Sequence, residues 1–305
     1  MRRSILAAAL ALILLTSAGA QAQGHTQGLT KIADNVYSYA GVPNASPRNS
    51  FAANAGIVVG TDSVLVIDTL ISAKEAKRFL KDIRAITKKP IRYVVTTHDH
   101  LDHSFGACVF TDLGATLVGH ELDRADLAQN GEALLKKSAA FGLTREDMAG
   151  TRIVLPSVTF TERLTIRPGG EVVELIHLTP SHSPGSILVH LPRQKVLFAG
   201  DVLFTDFYPN MGGGDIPGWV KTLDFIQSLD LTAIVPGHGP LSTKKDVAEM
   251  RDYVLLFDAK AKELAGTTQN PAALAAELKK LLPARSQGEG MILYSIMGKY
   301  LPAKN

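Results

Sequence analysis

The chain predicts an α/β fold in which two half-units of sheet and helix face each other. Three observations predict it. Apolar, β-branched runs fall into two blocks, residues 55–68 and 152–199. Each block is followed by a segment of helical periodicity and then by a short apolar run that reads as a strand. A hexapeptide of histidine and aspartate, His98-Asp99-His100-Leu101-Asp102-His103, stands just beyond one of those strands. Ligand sites favour the carboxyl ends of strands in α/β sheets.

Residues 1–22 read as an export signal. Arg2 and Arg3 form a charged start, Ile5–Leu15 an apolar run, and Ala20-Gln21-Ala22 a small-residue cleavage context. The apolar run is too short for a stable membrane anchor. The expectation is a periplasmic or secreted protein, a single domain over residues 23–305, with no stable membrane insertion after cleavage. The net charge is +3, and Arg2 and Arg3 account for most of it, so no nucleic-acid footprint is present. The single cysteine, Cys108, can form no internal disulfide and lies in an apolar stretch suited to a core.

Pro43–Ala52 is rich in Pro, Asn and Ser and reads as a loop. Ala55–Gly60 and Val64–Asp68 read as a hairpin around Gly60-Thr61-Asp62-Ser63. Ala73, Ala76, Phe79, Leu80, Ile83 and Ile86 recur at helical spacing, and Lys88-Lys89-Pro90 ends that helix. Ile91–Thr96 is a strand leading into the hexapeptide. Thr116–Gly119 is another strand, followed by polar helical segments to about Asp147. From Arg152 to Ala199 the runs RIVL, TFTERLTI, EVVELIHL, SILVHL and KVLFA read as strands separated by Gly and Pro. Gly218–Leu229 is helical and Ala233–Val235 a strand. Residues 241–305 are mainly helical. Val247, Met250, Val254, Phe257, Ala261 and Leu264 form one stripe, Asn270-Pro271 opens a helix, and Gly288–Tyr300 supplies another.

Imidazole and carboxylate are ligands for a borderline metal such as zinc. Three of the nine histidines fall within six residues, and burying such a cluster is costly unless it is paired or bound to metal. Three further positions can complete a site. His182 lies in Thr179–Ser186, Asp201 follows Gly200, and His238 lies in Pro236-Gly237-His238-Gly239. Each sits in a glycine- or proline-bearing turn beside an apolar strand, which fixes and exposes a side chain. His98 and His100 are two apart, so an extended backbone points both to one side.

The HxHxDH motif at 98–103, the strand Val64–Thr69, the turn at 179–186, Gly200-Asp201 and Pro236–Gly239 together resemble the metallo-β-lactamase-fold hydrolase superfamily. The resemblance spans about residues 30–240. It implies a four-layer αββα sandwich with a C-terminal helical extension. It also implies two Zn²⁺ ions, with iron as an alternative. One metal takes His98, His100 and His182; the other takes Asp102, His103 and His238; Asp201 and a hydroxide bridge them. Two divalent ions with Asp102, Asp201 and hydroxide leave the site at a net charge of about +1, suited to a developing oxyanion. The implied reaction is attack of the bridging hydroxide on an ester, thioester, lactone or amide carbonyl of a small molecule. Asp102 and Asp201 carry catalytic roles, and Asp68 and Asp99 are candidates to hold ligand N–H groups.

Phe51, Tyr208 and Trp219, with Phe207 and Met211, are candidates to wall a substrate cleft. His120, His177 and His190 have no matching motif and read as structural; His25 lies near the start of the mature chain. Gly212-Gly213-Gly214 is unlike a phosphate loop. The ligand set resembles the general hydrolases and glyoxalase II-like branch more than true zinc β-lactamases, where the position of Asp201 is usually cysteine or serine. Phe204 stands where one β-lactamase class has lysine and lactonases often have tyrosine. Three alternatives stay open: β-lactam hydrolysis, a mononuclear iron oxygenase resembling persulfide dioxygenases and using His98, His182 and Asp201, and a non-catalytic binding relative. The sequence leaves the substrate and the oligomeric state open.

Overall fold

The computed structural model describes residues 28–301. The expected export signal and His25 lie outside the described residues. No helix among the described residues is long and apolar enough to cross a membrane.

The first sheet has seven strands in sequential order: β1 (Thr30–Ala33), β2 (Val36–Ser38), β3 (Gly56–Val59), β4 (Val64–Ile67), β5 (Ile91–Val95), β6 (Thr116–His120) and β7 (Val158–Phe160). β1 to β4 pair antiparallel, and β4 to β7 pair parallel. The hairpin expected around residues 60–63 is present, with Val59 opposite Val64. The second sheet has five strands, ordered β12-β11-β10-β9-β8. They are β8 (Arg163–Ile166), β9 (Val173–Ile176), β10 (Leu188–Leu191), β11 (Val196–Phe204) and β12 (Ala233–His238). Only the β11–β12 pair of this sheet is parallel.

Apolar alternation explains the layering. In β4, Leu65 and Ile67 join a cluster shared with Val173, Leu175, Val189, Leu191 and Phe198 of the second sheet. Val64 and Val66 point the other way, toward Phe79 and Ile83 of α1 (Ala73–Ile86). β11 behaves likewise: Val196 and Phe198 enter the layer between the sheets, while Leu197 meets the outer cluster with Trp219 and Val254. Strands buried on both faces need continuous apolar runs, which is how β4 and β11 read. The result is the expected αββα arrangement.

The helices follow their caps. Ser72 accepts a hydrogen bond from Glu75 N at the start of α1. α2 (Leu101–Ser104) and α3 (Ala107–Thr111) follow β5, and α4 (Glu121–Asp126) and α5 (Glu132–Lys136) follow β6. Asp215 caps α6 (Ile216–Ser228), a Thr243–Asp246 capping box opens α7 (Lys244–Ala265), and Asn270 caps α8 (Pro271–Leu281). The expected last helix is α9 (Gly290–Ser295), continued to Tyr300 by a wider turn.

The structure corrects four local readings. RIVL at 152–155 forms no strand, because its apolar side chains Ile153 and Leu155 pack into a cluster beneath α5 instead of entering a ladder. TFTERLTI is two strands in different sheets, β7 and β8, with Thr161-Glu162 as the corner. The 43–52 loop contains a 3-10 turn over Pro47–Ala52. The short strands β1, at the edge of the first sheet, and β2 beside it carry too little periodicity to stand out in sequence.

Candidate metal centre

β5 ends at Val95, and Thr96-Thr97 carry the chain to His98. α2 begins at Leu101 and turns Asp102 and His103 back over the strand ends. From the second sheet, the β9–β10 turn delivers His182, β11 delivers Asp201, and the end of β12 delivers His238. The apolar run predicts a strand only to Ala199, but β11 continues to Phe204 through a register shift at Gly200, whose φ is +50°. That irregularity re-aims Asp201 into the site. On β12, a Cβ at Gly237 would collide with Asp201 Oδ1, so only glycine leaves the carboxylate room.

The seven donors meet in two adjoining groups. His98, His100, His182 and Asp201 form one; Asp102, His103 and His238 form the other. Within each group the donor atoms lie within 4.8 Å of one another. In the first, His182 Nε2 is 3.0 Å from His100 Nδ1 and 3.3 Å from Asp201 Oδ2, which is 3.7 Å from His98 Nε2. In the second, His238 Nε2 is 3.4 Å from His103 Nε2 and 3.3 Å from Asp102 Oδ2. Asp201 reaches both groups, because its other oxygen, Oδ1, lies 3.1 Å from His103 Nε2 and 3.4 Å from His238 Nε2.

These separations fit metal ligands. Nitrogen or oxygen donors about 2.1 Å from a tetrahedral ion sit ~3.4 Å from each other. Two buried atoms that face the site, His98 Nε2 and Asp201 Oδ1, have no hydrogen-bond partner, which is costly unless an ion satisfies them.

The surroundings fix the tautomers. Phe51 O accepts from His238 Nδ1 at 3.0 Å, so the lone pair on Nε2 faces the site. Asp68 Oδ2 accepts from His103 Nδ1 at 2.9 Å, which leaves Nε2 as the nitrogen that faces the site. Asp68 also accepts from Thr97 N at 2.7 Å and from Thr97 Oγ1 at 2.9 Å. With its proton given to Asp68, the Thr97 hydroxyl accepts from His98 Nδ1 at 3.2 Å. One buried carboxylate therefore orients His103 directly and His98 through Thr97. The sequence pattern points to Asp68 but not to Thr97, whose only signal is its place one residue before the hexapeptide.

Burial pushes His98 well below its ordinary value and His182 down to about 3. Both are neutral and ready to ligate at pH 7. Burial acts the same way on His103, but Asp201, Asp102 and Asp68 overcome it and hold His103 well above the usual range. Burial would raise Asp201, yet the charges on His103 and His238 hold it well below the usual carboxylate range.

Other expected residues fall elsewhere. The Asp99 carboxyl meets the Asp126 side chain, not a ligand N–H, and burial pushes it up to about 6. A cavity of about 270 Å³ opens onto His100, Asp102, Asp201 and His238. Phe51 and Phe207 line it; Tyr208, Met211 and Trp219 do not and are buried in the outer core. Trp219 donates from Nε1 to Val202 O at 2.8 Å and sets its ring edge against His182 at 5.3 Å. Its volume and apolarity suit a core as well as a cleft, which is why sequence could not separate the two. Phe204, marked in sequence by its place three residues after Asp201, lines the cavity too, and Leu134, Phe141, Met291 and Tyr294 line it without any sequence signal. His120 Nε2 donates to Thr161 O, His177 Nδ1 donates to Ser186 O, and His190 pairs with Glu174. Cys108 is buried.

Two packed sheets between helices, with imidazole and carboxylate donors gathered at one edge, define a metal-binding α/β sandwich. The chain belongs to the metallo-beta-lactamase superfamily, whose family model matches residues 48–238. It is 25% identical over 229 residues to a linear primary-alkylsulfatase of Pseudomonas sp., covering 64% of this chain and 43% of that protein. It is 26% identical over 184 residues to the 2,4-dinitroanisole O-demethylase subunit alpha of Nocardioides sp., covering 59% and 51%. The chain thus spans about half the length of these curated relatives. A solved metallo-beta-lactamase from Pontibacter korlensis superposes with a TM-score of 0.62 at 22% identity, covering 74% of this chain and 98% of that one.

Proposed function

We infer that the protein is an exported hydrolase that holds two divalent ions, zinc first among them, and cleaves an ester, thioester, lactone or amide bond. The observation that carries this reading is the division of Asp201. One oxygen faces the His98–His100–His182 group and the other faces the Asp102–His103–His238 group. When bound, the ions would supply Lewis acidity and a water of lowered pKa.

The chain's own residues do the rest. Asp102 belongs to the second group and lines the cavity, so its carboxylate can take and hold the proton of the attacking water. Asp68 keeps His103 and, through Thr97, His98 in the ligating tautomer. Phe204 stacks on the His238 ring at 5.3 Å and 2°, and Phe207 covers it at 4.7 Å, so both keep bulk water from that side.

A mononuclear iron centre on His98, His182 and Asp201 would leave Asp102, His103 and His238 without a task, which favours the dinuclear reading. Metal analysis of the purified protein is expected to give about two zinc ions per chain; one iron would sink this reading. A panel of carboxylic esters, thioesters, lactones, sulfate esters and β-lactams tests the reaction. Turnover of a carbonyl compound supports it, and cleavage of sulfate esters alone would overturn the carbonyl class. Export rests on the segment before Gln23, and a secreted product still carrying Met1 would contradict the cleaved signal.

A further inference from the structure

We propose that the substrate carries an uncharged apolar arm that fills the cavity beside the donor cluster, and that this cavity rejects substrates with a carboxylate on that arm. The inference rests on the hydrolase reading and narrows its substrate class. Phe51, Leu134 and Phe141 form one wall and belong to one packed cluster around Ile71, Phe105 and Leu127. Phe207, Met291 and Tyr294 form the other wall. The residues lining the cavity include no lysine and no arginine. Its acidic groups, Asp102 and Asp201, both belong to the donor cluster at the base. An anionic arm would lose its hydration there and gain no cation in return.

Two of the three residues of the second wall lie outside the span that the family model covers. Met291 and Tyr294 lie in the C-terminal segment, beyond residue 238. That segment is tied down on both sides of them. Tyr208 N donates to Gln287 O at 2.9 Å, Met211 N donates to Ser295 Oγ at 2.7 Å, and Lys299 Nζ donates to Gly214 O at 2.5 Å. The wall is therefore preformed, so an arm can bind without first ordering it. At about 30 Å³ for each water-sized group, 270 Å³ holds an arm of about nine heavy atoms.

The test needs no turnover. Zinc-loaded protein is titrated by calorimetry with n-alkanamides from butanamide to dodecanamide. Affinity is expected to rise about fourfold per methylene and to level off near nine carbons. Suberate, which is octanoate with a second carboxylate at its far end, leaves a charge on the arm in either orientation and is expected to bind at least about tenfold more weakly than octanoate. Phe141→Ala should flatten the length dependence. Leu134→Lys places a cation on the same wall and should favour suberate over octanoate. A flat series, or equal binding of octanoate and suberate by the unaltered protein, would overturn the apolar arm even if esters are hydrolysed. A steep series with no ester, thioester, lactone or amide turned over would keep the arm and remove the hydrolase reading.

Discussion

Replacing Asp68 with asparagine should cost the protein metal without costing it the fold. The carboxylate accepts from Thr97 N, Thr97 Oγ1 and His103 Nδ1 at 2.7, 2.9 and 2.9 Å. It stands at φ +58°, a left-handed conformation that asparagine tolerates, so the change isolates the side chain from backbone strain. Asparagine keeps one acceptor oxygen and turns the other into a donating amide. If the amide faces His103, the imidazole must move its proton to Nε2, the nitrogen that meets Asp201 Oδ1 at 3.1 Å. If it faces Thr97, the hydroxyl loses its acceptor and no longer holds His98 Nδ1–H. Losing such an outer partner costs about 10- to 100-fold in metal affinity, roughly 1.4–2.7 kcal/mol. Asp68→Ala should cost more, because Thr97 N is left buried without an acceptor at about 1–3 kcal/mol. Competition titration of zinc against a chelator reads the affinity, and circular dichroism checks the fold. Zinc affinity of Asp68→Asn within twofold of the unaltered protein would refute this account of how the ligands are held.

Asp201→Ala should lower zinc content from about two ions per chain to one or none. Gly237→Ala should do the same indirectly, since its new Cβ collides with Asp201 Oδ1; full zinc content in either variant would count against the shared carboxylate. Trp219→Phe removes the 2.8 Å bond to Val202 O and should lower stability by about 1–3 kcal/mol in denaturant titration while zinc content holds. A loss of zinc with unchanged stability would reverse that assignment. His182 sets an acid limb in the metal-free protein. Its folded-state value of about 3 lies below the ordinary ~6.5, so the unfolded chain binds a proton in that window that the fold refuses. Its contribution to stability therefore falls as pH drops from about 6.5 towards 3, and the stability gap between unaltered protein and His182→Gln should narrow over that range. A gap that stays constant between pH 7.5 and 4.5 would contradict the assigned shift.

The metal donors were legible because each is written locally. The hexapeptide follows the strand Ile91–Val95, and His182 and His238 stand at turns or strand ends that glycine and proline announce. The continuous apolar runs Val64–Ile67 and Val196–Phe198 are likewise legible as strands buried on both faces, their side chains alternating between the outer layers and the layer between the sheets. What sequence could not decide is where a large apolar side chain goes once the segments meet. Trp219 and Phe51 look equally suited to a cleft, yet one is sealed in the outer core and the other faces the donors. Leu134, Phe141, Met291 and Tyr294 come from segments more than a hundred residues apart and share no period, so only the assembled layers make them one wall. The split of Val158–Ile166 between two sheets has the same origin. Hydrophobic burial is non-directional: the sequence determines that such residues leave water, and the tertiary packing alone determines which neighbour they find.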